Sequence, residues 1–291
     1  MRSLPFTLCA LLSLAAPAAG AAQEIPTMPA MGAASGTLST RPPADQLKTA
    51  EQVKAYIAGG PVTDIPDLTG LDLSGMDLRG IDLRKANFTG SRLVGTRFDG
   101  SDLFSCDLTD AVATDASFEK ANMDGTTLRR ADLRRANFYR ASLFATIIEA
   151  ADLREADLRE TRIIGYLRKA NLAGARLTGA NIGADPGNQS MGVMRATFVG
   201  ADLSGADLSG ANLFKADFSY ARLAGANLRG ADLRNSELIE TDFDSADVTD
   251  VDLTASDLNG ATFRGALGVT TLKGLPKARN RERAIFDAPA P

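Results

Sequence analysis

Side chains able to do chemistry are unevenly supplied in this chain of 291 residues. It holds 36 Asp and Glu and 32 Lys and Arg, but only two Cys and no His. Histidine titrates nearest neutral pH and is the commonest metal ligand. Without it there is no Ser–His or Cys–His pair and no imidazole metal cluster, and no phosphate-cradling glycine loop is present. Carboxylates remain. Asp67, Asp72, Asp77 and Asp82 fall five apart, a spacing that could serve paired acid–base groups or a calcium ladder. The reading adopted is plainer: a polar residue at each such place solvates the surface and helps a turn. No catalytic residue, cofactor or metal is expected.

The cysteines add little. Cys9 lies in a segment expected to be removed. Cys106 is then alone, so neither an intrachain disulfide nor a cysteine zinc site can form. It takes a place that alanine fills at Ala111, Ala116 and Ala121, which predicts a small buried side chain.

Cations crowd residues 129–169: Arg129, Arg130, Arg134, Arg135, Arg140, Arg154, Arg159, Arg162, Arg168 and Lys169. Asp132, Glu149, Asp152, Glu155, Asp157 and Glu160 accompany them, leaving the belt at +4 in a chain of net charge −4. The first seven are the candidate anion-facing belt, suited to lipid headgroups or polysaccharide. A solvated, partly self-paired face is the competing reading. The overall charge shows no basic footprint of a nucleic-acid binder.

These residues must be held by something regular. From Leu68 to Ile163 every fifth residue is apolar; the register slips back by one at Leu167, is interrupted after Ile182, and resumes at Val193 to run to Phe263. Five is neither the strand period nor the helix period, and repetition on this scale means a solenoid. In extended backbone, residues i and i−2 share a side. So the apolar residue and the small residue two before it point inward, and the Asp or Asn between points out. The last two residues turn the chain, with Gly common at the second (Gly70, Gly75, Gly80), where a type II turn needs positive φ. Phe98, Phe118 and Phe138 are twenty apart, as are Phe198 and Phe218, and Phe243 and Phe263. Like stacks on like when four repeats close one coil.

Motifs such as Ala201-Asp202-Leu203-Ser204-Gly205 resemble the pentapeptide repeat family over about residues 66–268. The resemblance implies an all-β fold, a right-handed quadrilateral β-helix. Short capping helices are expected at both ends.

The domain organisation follows. Residues 1–22 carry Arg2, an apolar run Leu4–Ala16 and small residues, the layout of a cleavable signal peptide; the run is too short for a permanent span. Residues 23–45 are a Pro-, Gly- and Ser-rich leader expected to be mobile. Residues 46–66 hold a capping helix and turn, with Thr49 and Gln52 at capping-box spacing. The repeats occupy 67–268, with a loop insertion at 183–192. Residues 269–291 form a C-terminal cap, with a short helix expected within 272–286, and a tail.

Four sides per coil place Phe104, Phe144 and Ile164 on one face, a candidate protein-contact column. Together these features predict an exported, periplasmic or secreted, non-enzymatic rod that binds a protein or envelope component. No nucleic acid and no mature transmembrane span are expected, and a homodimer is left open. The alternative, drawn from the resemblance, is a DNA mimic that protects gyrase.

Overall fold

Leucine and phenylalanine at every fifth position set the architecture. In the computed structural model, residues 47–60, 65–184 and 195–287 are described. The signal-peptide run, the leader and most of the insertion lie outside the described residues. Outward residues pair in parallel with their equivalents twenty positions on, such as Asp67 with Asn87, Asp72 with Arg92, Asp77 with Arg97 and Asp82 with Asp102. These are four columns of bridges, one for each side of a coil. Along one column the pairing climbs from Asp67 through Thr127, Ile147, Tyr166, Thr197, Asp217, Glu237 and Asp257 to Arg279.

The chain holds its coils together by three devices. First, each side ends in a turn closed by a backbone bond, as from Leu71 N to Leu68 O at 3.3 Å. Gly70, Gly75 and Gly80 take positive φ at its second place, and so do non-glycine residues such as Lys85, Asp110 and Ala150. Second, the outward carboxylates of Asp67 and Asp72 accept from the backbone N–H two residues on, at 3.1 and 3.0 Å. That is an Asx turn, and it gives the regular aspartates a structural task. Third, the inward places fill the coil. From Leu68 to Phe263 the central apolar residues of the described repeats are buried. The phenylalanines stack: Phe98 on Phe118 at 5.2 Å, Phe118 on Phe138 at 5.0 Å, Phe198 on Phe218 at 4.7 Å and Phe243 on Phe263 at 4.8 Å. These distances match a strand spacing of about 4.8 Å.

Polar residues at the second inward place are also buried. Ser91, Thr96 and Ser101 donate their hydroxyls to the carbonyls of Leu68, Leu73 and Leu78 in the coil beneath, at 2.6, 2.8 and 2.7 Å. A hydroxyl is tolerated there because each neighbouring coil offers a carbonyl at the same height.

Helix α1 spans Ala50–Ala58. Thr49 accepts from Gln52 N, and Gln52 Oε1 accepts from Thr49 N at 3.0 Å, so both halves of the capping box are made. Gly59 ends it in right-handed conformation, without using glycine's left-handed freedom. Val53 and Tyr56 are buried in the core, with Leu71, Met76 and Ile81 of the first coil packed against the same cluster. Tyr56 Oη donates to Asp67 O at 3.2 Å.

The slip is a bulge between two short strands, β1 (Ser142–Ile147) and β2 (Arg162–Tyr166). Phe144 still pairs with Ile164, but Thr146 pairs with Gly165, one residue early. A Cβ on Gly165 would lie 2.3 Å from Thr146 O, so only glycine lets the two backbones approach this closely. The displaced Thr146 hydroxyl is buried with no hydrogen-bond partner among the described residues; its counterpart Thr126 reaches Leu103 O at 2.9 Å.

At the C-terminal end the expected short helix is replaced by one more coil. Leu267, Lys273, Arg279 and Ile285 pair with Asp247, Asp252, Asp257 and Thr262. The step has grown from five residues to six. The extra residue is taken up by 3₁₀ turns at Val269–Thr271, Leu275–Lys277 and Arg281–Arg283, each preceded by a left-handed residue, Gly268, Gly274 or Asn280. Phe286 continues the aromatic stack on Phe263 at 4.9 Å.

Candidate functional site

The belt arginines project from the corners of successive coils, and the same coils supply their partners. Arg130 pairs with Asp110 at 2.6 Å, Arg135 with Asp115 at 2.7 Å and Arg140 with Glu160 at 2.7 Å, each one coil away. Arg134, Arg154 and Arg159 turn back on the aspartate two residues before them, Asp132, Asp152 and Asp157, at 2.7, 2.6 and 2.5 Å. Arg129 reaches Glu149 at 3.8 Å. Repulsion between the Arg134 and Arg154 levels is offset by Asp152, which bonds Arg154 at 2.6 Å and lies 3.8 Å from Arg134. The belt is a self-paired surface rather than a free cationic one. Exposed pairs of this kind contribute little each.

Their electrostatics are still measurable. Hydrogen bonds from Arg130, Arg135 and Arg140 hold Asp110, Asp115 and Glu160 below the usual carboxylate range. At Asp152 and Asp157 burial pushes up, but the bonds from Arg154 and Arg159 outweigh it, and the net direction is down. A carboxylate with a depressed folded pKa stabilises above its unfolded value and loses that contribution as pH falls through the folded one. The melting temperature is therefore expected to hold from pH 7 down to about 5 and to fall below about 4. A thermal melt across pH 7 to 2 checks this; a decline beginning at pH 6 would contradict it.

The apolar column is less continuous than the sequence suggests. Phe104 is exposed at 42%. Phe144 is half-buried, with the Arg162 guanidinium 4.7 Å over its ring. Ile164, expected on the surface, is buried at 2%. It sits in β2, where the bulge replaces the usual turn and the run Ile163–Gly165 is buried throughout. Of the three residues, one offers a free apolar surface.

Cys106 is buried, and its Sγ donates to Leu83 O at 3.0 Å. Burial pushes its thiol up to about 12, so almost no thiolate exists at neutral pH. The native protein should not react with a disulfide thiol reagent at pH 8 over minutes, and should react fully in denaturant. Rapid labelling without denaturant would show that the coil opens locally.

A further surface was missed in the sequence. Arg195, Lys215, Asn235, Ala255 and Arg279 line a groove of about 470 Å³ along one corner of the C-terminal half. The twenty-residue spacing of 195, 215, 235 and 255 was a usable signal. Arg195 was hidden behind the insertion, and Arg279 lay in the segment read as a helix. No group of residues suited to holding a metal occurs among the described residues, and no described helix is long and apolar enough to cross a membrane.

Comparison with known proteins bears on the repeats. The family model for pentapeptide repeats matches in 8 copies, over residues 67–103, 106–143, 194–230 and 216–254. Among solved structures, HetL is a pentapeptide repeat protein involved in heterocyst differentiation regulation, from the cyanobacterium Nostoc sp. strain PCC 7120. It is 25% identical, with 79% of this chain and 94% of that chain covered and a TM-score of 0.43. Full-length QnrB1, a plasmid-mediated fluoroquinolone resistance protein, is 23% identical, with 76% of this chain and 93% of that chain covered and a TM-score of 0.44. A pentapeptide repeat protein from the thylakoid lumen of Arabidopsis thaliana is 32% identical, with 38% of this chain and 66% of that chain covered and a TM-score of 0.22. No curated protein matches in sequence.

Proposed function

We propose, since the chain belongs to the pentapeptide repeat family, that it is an exported, non-enzymatic rod that binds another protein on its outer faces. The frame is the family's right-handed quadrilateral β-helix. The observation that carries the reading is the filled interior. Mostly Leu, Phe and Ala, with a few buried Ser and Thr, fill the inward places of the described coils, so the side chains free to act are those displayed on the sides and corners. A rod of this kind offers long flat surfaces rather than a closed cleft, and recognition by flat surfaces suits a macromolecule better than a small substrate. The run Leu4–Ala16 and the small residues after it support export, to the periplasm or the medium.

The test is to fractionate cells, weigh the intact protein and cross-link it mildly in place. A mass lacking about the first 22 residues, found outside the cytosol together with a cross-linked protein, is the expected result. A full-length mass in the cytosol would defeat the export reading, and an absence of captured protein would defeat the binding reading.

The DNA-mimic alternative needs a continuous acidic surface and access to the cytosol. Here arginines stand between the stacked aspartates, as Arg84 does beside Asp82 and Asp102 at 2.5 and 3.5 Å. The purified rod should leave gyrase supercoiling unchanged; protection of gyrase would revive the alternative.

A further inference from the structure

The seven cations of the anion-facing belt each meet a carboxylate on their own or an adjacent coil. Those along the C-terminal groove are not cancelled to the same degree. Among the described residues its lining carries three cations and no carboxylate. Asn235 and Ala255 are short side chains between the long ones of Lys215 and Arg279, and this difference in length makes the surface concave. Arg195 is fixed by Glu237 at 2.7 Å and Asp217 at 3.5 Å, and lies lengthwise over two coils. Arg279 meets Asp257 only at 4.0 Å. The Lys215 ammonium sits 5.2 Å from the Phe214 ring centre, and no carboxylate lies within ion-pair distance of it among the described residues. The neighbouring acids Asp217 and Asp257 divide their oxygens between these arginines and other donors. Asp217 accepts from Ser219 N at 3.0 Å, and Asp257 from Asn259 N at 3.1 Å and Asn280 Nδ2 at 2.8 Å.

We propose that this groove binds an acidic peptide segment in extended form, lying along the solenoid axis. Its carboxylates would meet Lys215 and Arg279, and its backbone would meet the Asn235 amide, which both donates and accepts. Length supports the assignment. Four coil steps of about 4.8 Å separate the level of Arg195 from that of Arg279, about 19 Å in all. At about 3.3 Å per residue this accommodates roughly six extended residues. A flat bilayer cannot enter a groove of this size. The inference deepens the protein-binding reading and rests on it.

The probe is a fluorescein-labelled hexaglutamate peptide, followed by anisotropy with the full chain at low and moderate salt. Binding that weakens with salt is expected. The double variant K215Q/R279Q should weaken it at least tenfold, and Ala255→Trp, which fills the groove without removing a charge, should do the same. The belt variant R130Q/R135Q should bind like the unaltered protein. The proposal fails if hexaglutamate does not bind, if hexaglutamine binds equally, if the groove variants bind unchanged while melting normally, or if the belt variant loses as much. Tighter binding of inorganic polyphosphate with the same variant dependence would also overturn it, since the occupant would not be a peptide. If K215Q/R279Q still captures the cross-linked partner, the groove is wrong and the rod reading stands.

Discussion

Phe118→Ala should cost about 3–5 kcal/mol of stability, the range for truncating a buried aromatic side chain. Phe118 is fully buried and stacks on Phe98 and on Phe138. Its removal deletes two aromatic contacts, and the vacated space is walled by rings held on separate coils. Those coils cannot close the gap without breaking their parallel bridges, so the cavity should persist. A solenoid is stabilised by neighbour contacts, coil on coil. The loss should therefore appear first as raised hydrogen exchange in residues flanking the 118 level, with the 200–260 coils still protected. Phe104→Ala, at an exposed ring, should change stability by no more than about 0.5 kcal/mol. Equal effects of the two variants in a urea melt would contradict this account of the core.

Gly165→Ala should cost about 3 kcal/mol for a single methyl, the upper end of the overpacking range. The reason is proximity rather than dihedral angle. The new Cβ would meet Thr146 O at 2.3 Å and the Thr146 backbone N and C at 3.2 Å. Those atoms are main chain and cannot swing aside. Gly205→Ala is the control. Gly205 has φ +65° and nothing within 4 Å of an added Cβ, so only the left-handed backbone is penalised, by about 1–2 kcal/mol. Melts of the two variants separate the causes. If Gly205→Ala proves the worse, the bulge is not held by close approach.

How much of this was readable beforehand depended on whether a feature repeats. The five-residue period, the inward Leu and Phe, and the twenty-residue phenylalanine stack recur many times, so the pattern identified them without any neighbour being known. The capping box of α1 was readable because both partners lie in one turn. Ile164 was misplaced because its burial follows from a single bulge, and the sequence signals the slip but not which side chain it covers. The belt's neutralisation depended on which of two carboxylates each arginine chooses, as when Arg135 takes Asp115 rather than Glu155. The final coil carried a signal that was overlooked. Ala266, Leu272, Ala278 and Ala284 are spaced by six, but Pro276 and the run of cations resemble the start of a helix. The groove needed all of this at once, since its lining begins just after the insertion and ends in the final coil.

The irregular coils also bear on how such a chain can change length during descent. A step from Asp152 to Asn171 spans nineteen residues, and one from Tyr166 to Thr197 spans thirty-one. In both, every later residue returns to the column it would have occupied in a twenty-residue coil. Gain or loss of whole coils preserves the identity of each side, as does a bulge. Gain or loss of a single five-residue unit does not: it carries everything beyond it a quarter turn around the axis. A lineage could therefore lengthen the rod freely in twenties while its binding sides keep their bearings. One stray pentapeptide would act like a frameshift in space, with every residue intact and every later face pointing the wrong way.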